Sequence, residues 1–246
     1  MDPKNIIIGI VIVIAIYIIY VWLFGDSTRS YLLGMHDAKK RKVIEESHFP
    51  KGISSDYTYS VWLFISSWNY RAGKTKYILA RNYSKTQQQP APYISLGANL
   101  NNIEVSLATY SNDSTDIQNH TCSLDNIPLQ TWANVIVTLN NRALDLYLDG
   151  KLVRTCVLPG VPRQSAGQPL VICGSPTDSF GTGGEDGFDG YISNVSYFTR
   201  SVNPREAYAI YKEGPGGTNW FSNVFNKYRL KIAFMNENKE MNSFEI

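Results

Sequence analysis

The ten residues LDLYLDGKLV at positions 144–153 carry the strongest structural signal in this sequence. Leucines alternate with Asp145 and Tyr147 as far as Leu148, and a period of two is typical of a strand with one buried face. The dipeptide Asp149-Gly150 follows, and it suits the two-residue turn whose twist matches that of antiparallel strands. The segment therefore predicts a β-hairpin.

Short strand-like runs, separated by turn residues, lie on both sides of this hairpin. Residues 57–65 alternate with period two and are apolar on both faces near their end, which predicts a strand inside a sheet and not at its edge. Further strands are predicted at 76–80, 92–97, 103–110, 133–139, 143–148, 151–158, 170–173 and 190–198. Because helices do not alternate with these strands, we expect an all-β fold, an antiparallel sandwich or barrel.

One short helix is predicted after the last of these strands. Asn203 can cap it, Pro204 suits its first turn, and Gly214 ends it. Beyond the helix, residues 215–246 are predicted to form an ordered tail, with a short helix and then a hairpin around positions 236–239.

The chain begins with a short tail, residues 1–5, and a segment typical of a transmembrane helix. Residues 6–24 read IIIGIVIVIAIYIIYVWLF, without a charged position. At about 1.5 Å per residue this helix spans roughly 28 Å, close to the ~30 Å thickness of a bilayer's hydrocarbon core. A cleaved signal peptide is the alternative, but its apolar region is usually shorter.

Residues 25–51 are polar and basic, and we interpret them as a juxtamembrane stalk with a short helix near 36–46. The basic cluster consists of Lys39, Lys40, Arg41 and Lys42, which either contact anionic lipid head groups or form a solvated face. Five basic residues follow the apolar segment closely and one precedes it, which favours a cytoplasmic C-terminal domain.

N-glycosylation sequons suit the opposite orientation, with a lumenal domain. They occur at Asn82, Asn112, Asn119 and Asn194. Because roughly three sequons are expected by chance in a chain so rich in asparagine, we give them little weight, and the cytoplasmic side remains the expectation.

The overall composition excludes several classes of function. The 246 residues are 18% charged with a net charge of +2, which lacks the basic excess of a typical nucleic-acid-binding protein. Three cysteines and three histidines are too few for a disulfide-rich scaffold and leave little for a zinc site.

Three blocks of sequence resemble a known fold family. These are WANVIVTLN at 132–140, the hairpin at 144–153 and GFDGYISNVSYF at 187–198, followed by the short helix. In this order they resemble the laminin G-like, concanavalin A-like domains, which implies a jelly-roll β-sandwich over residues 52–214. NIPLQTW at 126–132, CVLPG at 156–160, the N-terminal helix and the ending NSFEI further resemble membrane-anchored lectin-like proteins of large DNA viruses of algae and protists.

The resemblance also implies a pairing for two of the cysteines. Related proteins place a cysteine pair near Cys122 and Cys156, so a disulfide between adjacent strands is one expectation. Two buried free thiols are the alternative, which is the usual state in a domain that faces the cytoplasm. Cys173, in a Val-Ile-Cys run, is predicted to lie in the core.

Enzymatic activity is not expected, although the fold family includes glucanases. Those enzymes need two carboxylates on one strand face, whereas Glu104 stands alone in its strand. No cofactor is expected either, with one alternative: calcium held by Asp178, Glu185, Asp186 and Asp189. The resemblance weakens that alternative, because Ser193-Asn194 replaces the acidic pair typical of calcium-binding relatives.

These observations predict a non-enzymatic, single-pass membrane protein. The resemblance implies a viral membrane or minor capsid-associated component, with the sandwich contacting capsid or other membrane-proximal proteins. The alternative is an outward-facing, glycan-binding attachment module, in which Trp68 and Tyr70 are the candidates for stacking on a sugar ring.

Overall fold

The computed structural model describes residues 12–17, 19, 28–50, 55–110, 117–165, 167–176 and 186–216, and the backbone of 231–236 and 239–245. Within these residues two antiparallel sheets enclose one hydrophobic core, to which both contribute. The prediction of an all-β antiparallel sandwich with one short late helix is confirmed.

The seven-stranded sheet contains the strand predicted at 57–65. Its strands are β1 (Arg29–Leu33), β2 (His36–Asp37), β4 (Tyr57–Ser67), β9 (Trp132–Asn140), β10 (Ala143–Leu148), β11 (Lys151–Val157) and β13 (Asp189–Phe198). Their order is β1-β13-β4-β9-β10-β11, and β2 also pairs with β13. As predicted, β4 lies inside the sheet.

The six-stranded sheet packs against it. Its strands are β3 (Lys42–Ile44), β5 (Lys76–Asn82), β6 (Pro90–Leu96), β7 (Asn102–Tyr110), β8 (Ile117–Asp125) and β12 (Leu170–Ile172). They lie in the order β3-β12-β5-β6-β7-β8, so β3 and β8 form its edges.

The helix α1 (Pro204–Lys212) covers the outer face of the seven-stranded sheet. Asn203 and Glu206 form a reciprocal capping box at its start. The ring of Tyr211 stacks on Trp62 of β4 with centroids 5.5 Å apart. This cover explains why β4 carries apolar residues on both faces.

The hairpin at 144–153 forms as predicted. Asp149 and Gly150 both have positive φ, 50° and 72°, the conformation of a type I′ turn. A Cβ atom at Gly150 would also lie 2.9 Å from Cβ of Tyr211, so the turn and the packing of α1 both require glycine here.

The stalk predicted at 25–51 is wrong over its described part, and so is the short helix near 36–46. Residues from Arg29 onward form β1, β2 and β3, which belong to both sheets, and a single 3-10 turn follows at Glu46–His48. The prediction failed because strands of two to five residues are too short to show an alternation of apolar and polar residues. Their basic side chains also resemble those of a solvated segment.

The two ends of the chain are described in part. Residues 12–17 and 19 are helical, and the rest of the predicted 6–24 segment lies outside the described residues. Within the part of the chain that the structure describes, no helix combines the length and apolar content needed to cross a membrane.

Near the C-terminus, β14 (Lys231–Asn236) pairs antiparallel with β15 (Lys239–Glu245), at the position predicted for the tail hairpin. The short helix predicted before this hairpin lies outside the described residues.

Candidate functional site

A groove of about 260 Å³ lies on the outer face of the six-stranded sheet, above β3, β12 and β5. Its floor is apolar. Val171 of β12 pairs with Val43 on one side and Ala80 on the other, so these three side chains form a row across the sheet. The neighbours of Val171 in sequence, Leu170 and Ile172, point into the core. We call this site the cationic groove, because of the side chains on its rim.

Two positive charges line the cationic groove. Arg41 precedes β3, and Lys85 lies in the loop between β5 and β6. Gly174 makes room for the arginine, because a Cβ atom there would lie 2.6 Å from Cγ of Arg41. Lys85 is exposed. Among the described residues that line the groove, none is acidic.

Three amide side chains, Asn82, Gln88 and Gln168, also line the cationic groove. The amide of Asn82 is held in place, since its Nδ2 donates to Pro176 O at 2.9 Å and its Oδ1 accepts from the Tyr93 hydroxyl. Because an amide nitrogen carries two hydrogens, these contacts between described residues use only one of the two donors of Asn82.

The loop that carries Lys85 and Gln88 is anchored by a buried arginine. Arg163 is 5% exposed and donates to Gln89 Oε1 and to Gln87 Oε1, the latter at 2.9 Å. Its guanidinium also lies 3.4 Å from the centroid of the Tyr83 ring. Arg163 therefore contacts both ends of this loop, through two amide oxygens and an aromatic face.

A second buried arginine supports the opposite rim. Arg81 Nε donates to the carbonyl of Gln168 at 2.8 Å, and its guanidinium lies 4.1 Å from the Phe49 ring centroid. Burial raises the pKa of Tyr59 in the same cluster, and Arg81 acts in the opposite direction. The groove therefore has fixed walls.

The sequons differ in what they can carry. The side chain of Asn82 is hydrogen-bonded to Pro176 and Tyr93. Asn194 is 2% exposed, and its Nδ2 donates to Gly214 O at 3.0 Å. Asn119 is exposed on β8, whereas Asn112 lies outside the described residues. Because Asn194 is buried, the folded sandwich has no room for a glycan there.

Two of the four carboxylates proposed as calcium ligands form ion pairs. Asp186 Oδ1 lies 2.5 Å from Arg71 Nη2, and Asp189 Oδ1 lies 2.7 Å from Lys39 Nζ. Asp178 and Glu185 lie outside the described residues. In the described chain, no three metal-ligating side chains group together.

The aromatic residues considered for sugar stacking are both covered on one face by a lysine. Trp68 packs partly against the core, and Lys76 Nζ lies 4.7 Å from its ring centroid. Lys39 Nζ lies 5.2 Å from the centroid of Tyr70. The described contacts therefore give these rings cationic neighbours and no shared platform for a sugar.

The basic cluster considered for lipid contact is divided by the fold. Lys39 is ion-paired beside β13, and Arg41 lines the cationic groove, whereas Lys40 and Lys42 are exposed. These side chains are divided because the chain turns before β3 begins at Lys42, and the turn is closed by a hydrogen bond from the Lys40 N–H to the carbonyl of Asp37 at 3.0 Å.

Cys122 and Cys156 form a disulfide whose Cα atoms are 6.2 Å apart. It joins β8, an edge of the six-stranded sheet, to β11, an edge of the seven-stranded sheet. The bond therefore links the two sheets, and not two strands paired within one sheet. Cys173 is a buried free thiol, and burial raises its pKa.

Sequence reasoning missed most of the cationic groove. The sequence pattern relates Arg41 only to lipid contact and gives no role to Lys85, Gln88 or Gln168. These residues come from three separated segments that meet only after β3, β12 and β5 pair. Their types carry no motif, so no local signal in the sequence could have found the site.

The fold is that of a lectin-like binding domain, a two-sheet antiparallel sandwich, and one outer face carries a groove with an apolar floor and a cationic rim. Residues 42–207 match the Concanavalin A-like lectin/glucanases superfamily, in its laminin G form. This chain belongs to that family. A comparison with curated proteins found no match.

Solved structures with this fold include domains of a bacterial toxin. The botulinum neurotoxin serotype D ligand binding domain in complex with N-acetylneuraminic acid has a TM-score of 0.54 and 13% identity, over 73% of this chain and 42% of that one. The receptor binding domain of botulinum neurotoxin D has a TM-score of 0.52 and 13% identity, over 75% of this chain and 43% of that one. This chain thus matches about two fifths of their length, and the likeness is one of fold.

Proposed function

We propose that this protein is a non-enzymatic, membrane-anchored binding protein whose sandwich holds carbohydrate in the cationic groove. The groove itself is the observation that carries the proposal. It combines an apolar floor, amide side chains and a volume near 260 Å³, which suits one or two sugar rings. A structural neighbour bound to N-acetylneuraminic acid supports the use of this fold for sugars.

The absence of catalysis remains part of the proposal. Glu104 lies opposite Ser95 on one neighbouring strand and Ser123 on the other. The carboxylate nearest to it by register is Asp125, a diagonal neighbour at the edge of the sheet. We keep this absence because Glu104 stands alone in its strand, whereas the glucanases of this fold need two carboxylates on one strand face.

Anchoring by residues 6–24 rests on their uncharged apolar sequence. Within that segment the side chains of Ile12, Val13 and Ile16 are more than half exposed. The disulfide supports a sandwich on the oxidising side of the membrane, contrary to the cytoplasmic side favoured by the basic residues. The positive-inside rule applies to short loops, so basic residues that lie within a folded domain are weaker evidence for the orientation in the membrane.

The replacement Val43→Trp tests the carbohydrate site. Val43 lies on the floor and is only partly buried, so an indole there fills the groove without entering the core. We expect the full chain in detergent to bind glycans on an array and the variant to lose at least tenfold in affinity. Val153→Trp, on an exposed position of β11, is the matched control. Equal binding by Val43→Trp would contradict the proposed site.

Protein contact is the second candidate function, and one observation favours it. Leu152, Val153 and Val157 of the edge strand β11 are 46%, 54% and 71% exposed, which defines the β11 edge surface. Exposed aliphatic side chains on a strand edge suit a neighbouring protein. A viral membrane or capsid-associated partner, which the sequence resemblance implies, would bind here.

The replacement Val157→Asp tests this second candidate. A carboxylate buried in an apolar contact without a partner is costly, so we expect cross-links between this protein and its neighbours in the native membrane to fall severalfold. Binding of glycans should be unchanged. Cross-links that persist in Val157→Asp would exclude the β11 edge surface.

A further inference from the structure

We propose that Asn119 is an acceptor for an N-linked glycan. The inference goes beyond binding in the groove, and it rests on the part of the proposed function that places the sandwich on the oxidising side of the membrane. It follows from the exposure of the sequon, its place at the edge of a sheet and the disulfide in the same strand.

The reaction is the transfer of an oligosaccharide from a polyprenyl diphosphate donor, catalysed by a membrane-bound transferase of the cell that makes the protein. A bond forms between Nδ2 of Asn119 and the anomeric carbon of the first sugar, while the bond from that carbon to the diphosphate oxygen breaks. The lipid diphosphate leaves, and Nδ2 gives up one of its two protons. The sequon Asn119-His120-Thr121 supplies the amide and the hydroxyl group that this reaction requires.

The sequon lies in β8 with its two required side chains turned away from the core. Asn119 and Thr121 are exposed, whereas Cys122 and Leu124 are each 1% exposed and belong to the core. Because residues two apart in a strand point to the same side, the asparagine and the threonine share the outer face of the six-stranded sheet. Thr121 Oγ1 and Ser106 Oγ form an exposed hydrogen bond of 2.8 Å on that face. A sugar on Nδ2 therefore extends into solvent without any repacking of the core.

The position of β8 at the edge of its sheet gives a glycan space. Among the described strands, Asn119 pairs only with Ala108 of β7. The described disulfide and hydrogen bonds that join β8 to β11 involve Cys122 and Ser123, and Asn119 precedes Cys122 by three residues, about 10 Å along the strand. Two strands, β6 and β7, separate β8 from β5, so the glycan begins about 14 Å from the nearest strand of the cationic groove.

The disulfide indicates the compartment in which this strand folds. Cys122 lies in the same strand as the sequon and is bonded to Cys156. Disulfides form in oxidising compartments such as the lumen of the endoplasmic reticulum, and N-linked glycans are found on proteins that follow the same route. The number of sequons carries little weight, whereas exposure discriminates between them. Of the three that the structure describes, Asn119 is exposed, Asn82 is partly buried and Asn194 is 2% exposed.

The test is expression of the full chain in insect or human cells, followed by isolation of the membranes and digestion with peptide:N-glycosidase F. We expect the digestion to increase the electrophoretic mobility of the protein and to convert Asn119 to aspartate, which peptide mass spectrometry detects. Asn119→Gln and Thr121→Ala should each abolish the glycan at this position. Thr121→Ser, which keeps the hydroxyl group of the sequon, is the matched control and should remain glycosylated.

Three results would overturn the inference, with different consequences for the proposed function. If Asn119 is unmodified while Cys122 and Cys156 resist alkylation, the sandwich reaches an oxidising compartment and only the glycan is excluded. If Asn119 is unmodified and every cysteine is alkylated without reduction, the placement on the oxidising side falls as well. If Asn119→Gln shows the same mobility shift as the native protein, another sequon carries the glycan and the assignment is wrong. Binding in the groove is tested separately by the glycan array.

Discussion

Replacing Cys122 and Cys156 together by serine should lower the free energy of unfolding by about 3 to 4 kcal/mol. The disulfide closes a loop of 34 residues, and the loss of chain entropy in the unfolded state accounts for a stabilisation of this size. For a domain of this length the melting temperature should fall by about 10 °C. Thermal unfolding of the oxidised protein and of the double variant, followed by circular dichroism, measures the difference.

The control uses the reductant. Dithiothreitol should lower the melting temperature of the native protein to that of the double variant and leave the variant itself unchanged. Equal melting temperatures for the oxidised protein and the variant would show that the bond contributes nothing. Alkylation of the denatured, unreduced protein should modify Cys173 alone, and three modified cysteines would show that the bond is absent.

The placement of this disulfide has a consequence for the open side of the sandwich. β8 and β11 are both edge strands, and besides the disulfide they are joined by hydrogen bonds from Arg154 Nη1 to the carbonyl and hydroxyl oxygens of Ser123, 3.0 and 3.1 Å long. Without the bond, we expect the two sheets to separate more readily at this edge. Reduction should therefore raise hydrogen exchange in β8 and β11 before it does so in β4.

Strands that alternate clearly could be predicted from the sequence, and short or polar ones could not. β4 and β10 were predicted because their side chains divide into a core face and an opposite face. β8 was missed because its sequence, IQNHTCSLD, is mostly polar, as suits an exposed edge strand. β1 to β3 were missed because their place in the sheets is set by pairing with β13 and β12, which follow them by more than a hundred residues.

The candidate site could be predicted from the sequence even less well than the short strands. A motif such as the hairpin turn is local, so Asp149-Gly150 could be interpreted without a structure. The cationic groove depends instead on register: Val43 and Ala80 become neighbours of Val171 only through the pairing of three strands. Arg41 acquires its role from the missing side chain of Gly174, a contact across two separate segments.

The motif GFDGYI at 187–192, by which the sequence resembles its family, contains the glycine with the largest expected effect. Gly190 has a φ of +153°, and a Cβ atom there would overlap the carbonyl oxygen of Phe64 on the paired strand β4. Its own carbonyl accepts the backbone N–H of Ala38 at 3.0 Å, so the residue is held from both sides. The backbone cannot move away from one contact without breaking the other.

The replacement Gly190→Ala should therefore lower the free energy of unfolding by roughly 3 to 5 kcal/mol, since a strained backbone and an overpacked contact each cost about 1–3 kcal/mol. A loss of this size is a large share of the 5–15 kcal/mol that usually stabilises a domain. Urea unfolding measures it, and Gly216→Ala is the matched control, because a Cβ atom at Gly216 has no neighbour within 4 Å. If both variants unfold at the same urea concentration as the native protein, β13 can shift away from β4 at this point, and the glycine of the motif is not required by the fold.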